Sequence, residues 1–414
     1  MFNGANTGFM LLAASLVMLM TPGLAFFYGG LVGRSNTLTI MIQSFASMGI
    51  TTMMWWLVGY TLCFSGGSGG IYGNFHFSFL QHVSPESAYT PSGIPLSVLI
   101  AYQMMFAIIT PALITGAFTN RVTFKSYLVF LVVWQLFVYY PFVHMIWGNG
   151  MLAHWGVRDF AGGIVVHASA GFAALAAVLF VGRRKFIDMP HNIPFIALGT
   201  GLLWFGWYGF NAGSELKVDH ITALAFLNTD LAASFAAITW LFIEWWHAKK
   251  PHFVGLLTGA VAGLATITPA AGYVPIYASV VIGIAAGGVC YLAIQLKNRL
   301  RWDDALDVWG VHGVGGLLGI ILLGVFAGTA INPAGGEGLV HGVWTFFGKQ
   351  VAAGFGASFY AFAFTYVALK AINYFIPVRV GEDAEAGLDE FMHGEAAYQL
   401  DSELPRPGTA APVL

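Results

Sequence analysis

Eleven long apolar runs leave this chain few folds to choose from. They lie at about residues 7–31, 39–64, 95–118, 124–147, 160–181, 194–213, 220–245, 253–271, 275–296, 304–330 and 345–375. A helix needs about 20 mainly apolar residues to cross a bilayer, and backbone in lipid must satisfy its own hydrogen bonds. Charge is correspondingly scarce. Only 9% of the 414 residues are charged, against about 25% in a soluble domain, so lipid must be the solvent for most of the surface. The first run has no basic residue ahead of it and continues into Thr21-Pro22-Gly23. It therefore reads as a span and not as a signal peptide.

The basic residues fix a direction. With the N-terminus outside, the inner segments hold Arg34, Arg121, Lys125, Arg183, Arg184, Lys185, Lys249, Lys250, Lys297, Arg299, Arg301, Lys370, Arg379 and Arg406. The outer segments hold only Arg158, Lys217 and Lys349. Fourteen against three is the bias of the positive-inside rule. The expected fold class is all-α integral membrane, with eleven transmembrane helices, N-terminus out and C-terminus in. Residues 1–375 form the membrane domain, and residues 376–414 form an acidic cytoplasmic tail too short to be a catalytic domain. Residues 65–94 form a Gly/Ser/Pro-rich outer loop with no Lys or Arg.

Two histidines stand inside apolar, glycine-rich runs. His167 follows Asp159, and His312 follows Asp307; each has a glycine four residues on, Gly171 and Gly316. An ionisable side chain within a span is costly, so its default reading is functional. His167 lies in span 5 and His312 in span 10. Five crossings leave the chain on the opposite side, so the two five-helix repeats (about 7–181 and 194–330) must be inverted, with the site on the axis between them. Helix 11, at about 345–375, lies outside the repeat. The alternative for each histidine is a packing residue bonded to a neighbouring helix. Metal binding needs three or four protein ligands, and no His-x3-His or Cys-x2-Cys supplies them, so no metal and no cofactor is expected. Cys63 and Cys290 read as buried spacers, and the net charge of -2 offers no case for a nucleic-acid partner.

Aromatic residues gather near the outer ends of spans: Tyr102-Gln-Met-Met-Phe106, Trp147 and Trp204-Phe-Gly-Trp-Tyr-Gly-Phe-Asn-Ala-Gly-Ser214. Many interfacial rings are belt residues only. Ring faces also attract cations, at about 2 kcal/mol or more when desolvated, and a hydroxyl accepts a hydrogen bond from an N–H donor. Rings with one acceptor make a dish for a small cation carrying N–H bonds, which potassium does not. Asp159, at the start of span 5, reads both as a helix cap and as a fixed charge favouring cations and assisting deprotonation.

These residues resemble the ammonium transporter family, in the Amt branch of the Amt/Rh superfamily. The resemblance runs from Met20-Thr-Pro-Gly to the tail, and is most specific at Asp159–Ala168, Trp204–Glu215, Asp303–Leu317 and Gly387–Gln399. It implies an ammonium transporter and not an enzyme. Ammonium would be recruited at an outer site of Phe106, Trp147, Phe210, Ser214 and Asp159, with Phe106 and Phe210 stacked as a gate and His167 and His312 as twin pore histidines. Ammonia would then pass, with a possible separate path for the proton. Rh proteins lack the tryptophan-lined site, so Trp147 and Ser214 favour the Amt branch. Tyr102 stands where many members have Phe, and Tyr208 replaces another Phe. The resemblance also implies ammonium and methylammonium as substrates, a homotrimer in the cell membrane and a PII-type signalling protein at the cytoplasmic face. The tail, with Leu388, Phe391 and Met392 near one another, is expected to dock under basic inner loops that include Lys249 and Lys250, to couple subunits and to control activity. An ammonium sensor with little flux and a membrane metalloenzyme are the alternatives.

Overall fold

The computed structural model describes residues 2–67, 69–187 and 189–398. The end of the tail, with Gln399, Pro405 and Arg406, lies outside the described residues. The regular elements of the described chain are helices apart from one two-stranded ribbon, Ala88–Tyr89 with Ile94–Pro95, in the loop that follows Phe64. Nine helices among the described residues are long and apolar enough to cross a membrane. Helical rods stand at all eleven apolar runs. They are α1 (Gly4–Leu31), α2 (Thr37–Met54, continuing to Phe64), α3 (Leu96–Phe118), α4 (Phe124–Trp134, continuing to Ile146) and α5 (Gly163–Ala168 into Ser169–Val181). They continue as α6 (Ile193–Ala212), α7 (His220–Ala248), α8 (Phe253–Ile267), α9 (Ile276–Arg299), α10 (Trp309–Val314 into Gly315–Phe326) and α11 (Trp344–Phe375). The α8 rod has only 15 residues, because a turn-rich segment replaces the helix at the end of its apolar run.

The faces of these rods are inverted relative to a soluble bundle. Large apolar side chains such as Met53, Trp56, Phe242, Leu292 and Phe359 are exposed, while the interior is rich in Ala and Gly. Lipid gives no hydrophobic drive for helices to associate, so close backbone approach must supply dispersion instead. The crossing of α1 on α6 shows it. A Cβ on Gly30 would stand 2.6 Å from the Asn192 carbonyl, and one on Gly199 would strike the backbone of Phe27.

The helix ends beside Arg121 are locked by charge. Buried Arg121 donates to the carbonyls of Ala117, Gly182 and Asp303, and its guanidinium lies 3.5 Å from the Asp303 carboxylate. Burial pushes Arg121 down to about 10. Arg184 forms the closer pair with Asp303, at 2.7 Å. Burial raises the Asp303 carboxyl, but Arg184 and Arg121 outweigh that and hold it below its usual value.

The tail folds back under the same ends. Val380 N donates to Arg121 O at 2.9 Å, and Thr123 N donates to Val378 O at 2.9 Å. Asp389 accepts from Leu38 N, Thr39 N and Thr39 Oγ1 at 2.7–2.9 Å, capping the start of α2. Glu385 accepts from Lys185 N at 2.7 Å and from Arg379 at 2.6 Å. Leu388 is fully buried, as expected of a docking residue, but Phe391 is 70% exposed and does not dock. Leu388 packs with Val380 and Ala384, and Met392 lies against that small cluster. Lys249 and Lys250 are exposed and form no ion pair among the described residues. The tail is instead held through helix starts and carbonyl ends, which composition does not reveal.

Candidate functional site

The two histidine helices begin alike. Each starts with a π-helical turn, Gly163–Ala168 and Trp309–Val314, and each histidine sits in that turn. Wide turns of this kind concentrate at functional sites. Each helix also has a buried aspartate eight residues before its histidine. Asp159 Oδ1 accepts from Gly162 N and Gly163 N at 2.8 and 2.6 Å, and Oδ2 from Ile164 N and Val165 N at 2.8 and 3.2 Å. Asp304 Oδ2 accepts from Trp309 N at 2.7 Å. The structural counterpart of Asp159 is therefore Asp304 and not Asp307, the residue suggested by proximity in sequence. Asp307 instead pairs with Lys297 at 2.6 Å. Equal spacing to the histidines (159 to 167, 304 to 312) was the signal available in the sequence.

The helices then cross at glycine. A Cβ on Gly171 would strike the backbone of Gly313, and one on Gly316 would lie 2.7 Å from both Ala168 N and His167 Cβ. These contacts mirror each other: the glycine four residues after one histidine meets the residue just after the other. The rings are brought together as a result. His167 Nδ1 and His312 Nδ1 are 3.2 Å apart, with ring planes 14° from parallel. Both rings are buried, at 1% and 4% exposure. Two Nδ1 atoms at this distance share one proton, one nitrogen donating and the other accepting. The far nitrogen of His167, Nε2, has no hydrogen-bond partner among the described residues.

Above the pair stand two phenyl rings. Phe106 (α3) and Phe210 (α6) have centroids 4.1 Å apart and planes 33° from parallel. Phe210 lies near His167 in turn, with centroids 6.1 Å apart. Trp207 stacks on His167 at 5.4 Å and is oriented by a 2.9 Å bond from Nε1 to Thr268 Oγ1. This residue was within the aromatic motif, but nothing in its spacing distinguished it from neighbouring rings. Beside the two phenyl rings, on the histidine side, a cavity of about 10 Å³ is lined by both histidines, Trp207, Phe210 and apolar residues, about the room of one water. Beneath it, a cavity of about 60 Å³ lined by His312, Thr258 and Asp307 leads inward.

On the other side of the phenyl pair lies a vestibule of about 680 Å³. Phe106, Trp147, Asp159 and Ser214 line it, together with Gln103, Tyr89 and Glu215. Phe210 does not line it; that ring lines the cavity on the histidine side. Trp147 stands edge-on to Phe106 at 5.8 Å, and its Nε1 donates to Asp159 O at 2.8 Å. Asp159 thus positions both the tryptophan and the histidine helix. Ser214 Oγ donates to Phe210 O at 2.8 Å. With its proton so engaged, the hydroxyl offers lone pairs to an incoming N–H. Tyr102 is fully buried, and its hydroxyl lies 2.9–3.2 Å from Phe210 O, Gly209 O and Ser214 Oγ. Its extra oxygen braces the end of α6 instead of joining the vestibule wall. Tyr208 lies away from the gate, bonded to Asp230 at 2.6 Å. Among the described residues no group of three or more His, Cys, Asp or Glu side chains is placed to hold a metal ion.

The chain matches the Ammonium Transporter Family over residues 8–398. It is 44% identical over 398 residues to an ammonium transporter of Bacillus subtilis, covering 95% of this chain and 98% of that protein. The crystal structure of Candida albicans Mep2 superposes with a TM-score of 0.86 at 36% identity, over 92% of this chain and 87% of that one. A structure described as a sensor Amt protein gives a TM-score of 0.85 at 28% identity, over 93% and 97%. The chain belongs to the ammonium transporter family, and it is a multi-pass membrane protein.

Proposed function

We propose that the protein conducts ammonia across the cell membrane after recruiting ammonium at the outer vestibule. One observation carries this reading: two buried histidines share a proton-sized gap directly beneath a phenyl gate whose outer side is a ring-lined vestibule. The Trp147 and Phe106 faces attract a cation, and the Ser214 lone pairs select one with N–H bonds. Asp159 holds Trp147 and the histidine helix in place. Passage below the gate requires leaving water in a cavity of about 10 Å³. Desolvating an ion costs several kcal/mol, whereas neutral ammonia escapes most of that cost. The proton therefore leaves ammonium near the gate. The His167–His312 hydrogen bond gives that proton a relay separate from the ammonia.

The same reading includes eleven spans, N-terminus out and C-terminus in, in two inverted repeats. The mirrored contacts of Gly171 and Gly316 support the repeat. It also includes a homotrimer, methylammonium as a second substrate and a PII-type protein meeting the inner face near the tail. Residues 1–375 serve as the transport domain and the tail as its regulator. Likeness to a sensor Amt protein favours a second reading, an ammonium receptor with little flux. Proteoliposomes assayed with ammonium, methylammonium and potassium decide between them. Ammonium uptake that exceeds potassium uptake supports transport, while binding without flux supports the receptor.

A further inference from the structure

The vestibule contains a carboxylate that the mechanism above does not use. Asp159 is sealed: four backbone N–H groups occupy its two oxygens. Its charge is thus largely spent on the start of α5. Glu215 differs. It follows Ser214 in a short 3-10 turn, Gly213–Glu215, and lines the vestibule beside Trp147, Phe106 and Ser214. Its side chain is 11% exposed. Oε1 lies 3.2 Å from Lys217 Nζ, its one ion pair among the described residues.

Lys217 is itself shared. Its Nζ is closer to Asp219 Oδ2, at 2.9 Å, than to Glu215. Asp219 is anchored separately, because Oδ1 caps α7 through Ile221 N and Thr222 N at 2.9 and 3.2 Å. Two carboxylates thus divide one ammonium group, leaving one negative charge in excess at the rim. Glu215 holds the longer of the two contacts to Lys217 and is the one of the pair that lines the cavity. Confinement between low-dielectric walls strengthens such a field. Lys217 sets its size: bound to Asp219, it draws part of the charge away from the vestibule.

We propose that Glu215 is the carboxylate that concentrates the cationic substrate at the vestibule, and that Lys217 attenuates it. This rests on the transport reading above, and it assigns to Glu215 the electrostatic part that sequence reasoning gave to Asp159. The substrate class is a small monovalent cation with N–H donors, drawn by charge and sorted by Ser214 and the rings.

The test uses the full-length protein in proteoliposomes, with ammonium uptake measured against concentration at low and high ionic strength. Glu215→Gln should raise the apparent KM roughly three- to tenfold at low salt, the size expected of one partly solvated charge, with the maximal rate unchanged. The difference should shrink at high salt. Lys217→Gln should lower the KM, because it frees both carboxylates while leaving the α7 cap intact. A purely structural role for Glu215 would instead lower the maximal rate or the melting temperature without a salt-dependent KM. An unchanged KM in Glu215→Gln with normal wild-type flux overturns the inference and leaves the transport reading standing. So does a shift of both variants in the same direction. If the wild type binds ammonium without moving it, the transport reading falls, and the same comparison of variants on the calorimetric binding constant decides this inference.

Discussion

At the residue scale, the chemistry rests on few atoms. His167 and His312 meet through Nδ1 atoms at 3.2 Å, so removing either ring breaks this hydrogen bond, the proposed proton relay. His167→Ile or His312→Leu should therefore reduce net charge movement, or relax selectivity against potassium, while the variant still inserts. Solid-supported-membrane currents with both ions provide the check, and wild-type currents and selectivity in both variants would refute the relay. The vestibule offers a second test. Trp147→Leu removes a ring face and Ser214→Ala an acceptor, contacts worth about 1–2 kcal/mol each. That predicts roughly five- to thirtyfold weaker apparent affinity for ammonium. Both histidines were legible in the sequence because charge is rare in spans. Trp207 was not, since a ring among rings carries no spacing signal; only the fold shows it stacked on His167 at 5.4 Å. Glu215 was missed for the opposite reason. It read as the polar end of a motif, and its place in the vestibule depends on a turn after α6.

At the element scale, two π turns and two glycine crossings set the distance between the histidines. Apolar periodicity announced the helices, but a π turn leaves no such mark, because it shifts the register by one residue within an unbroken apolar run. The glycines were visible as a pair, Gly171 and Gly316, without their partners. Gly171→Val places a side chain into the backbone of Gly313. Overpacking of this kind costs typically 1–3 kcal/mol, and the expected result is a lower melting temperature together with lost flux. A stable, active Gly171→Val protein would show that the helices can separate without disturbing the site. Asp304 tests the second cap. Burial raises its carboxyl to about 6. The folded state thus binds this proton more tightly than the unfolded chain, so the associated stability is present at acid pH and is lost as pH rises through about 6. Asp304→Asn should flatten the melting temperature between pH 4 and pH 7 relative to wild type, by roughly the part that one shifted carboxyl contributes.

At the scale of the whole molecule, the tail packs across the ends of several helices. The sequence showed an acidic segment with apolar residues in it, and the placement of Leu388 agrees with docking. It did not show how the acids are used. They cap and clamp helix ends that lie far apart in the chain: Asp389 holds the start of α2, while Glu385 joins Lys185 after α5 to Arg379 after α11. Arg379 also donates to Val181 O at 2.7 Å, so the tail touches the end of the helix that carries His167. On the proposed reading, loosening the tail would act on the histidine helix from this end, whereas removal of a merely solvated appendage would not. Deleting residues from Gly381 onward should depress ammonium uptake while membrane insertion persists. Asp389→Asn should do the same more weakly, because it removes the charge on the α2 start and keeps the side-chain shape. Hydrogen bonds to charged groups contribute about 1.5–3 kcal/mol, enough to free this segment a substantial fraction of the time. Uptake by inserted protein, normalised to its amount in the vesicles, is the measurement. Full uptake in the truncated protein would mean that these clamps hold the tail in place without governing the pore.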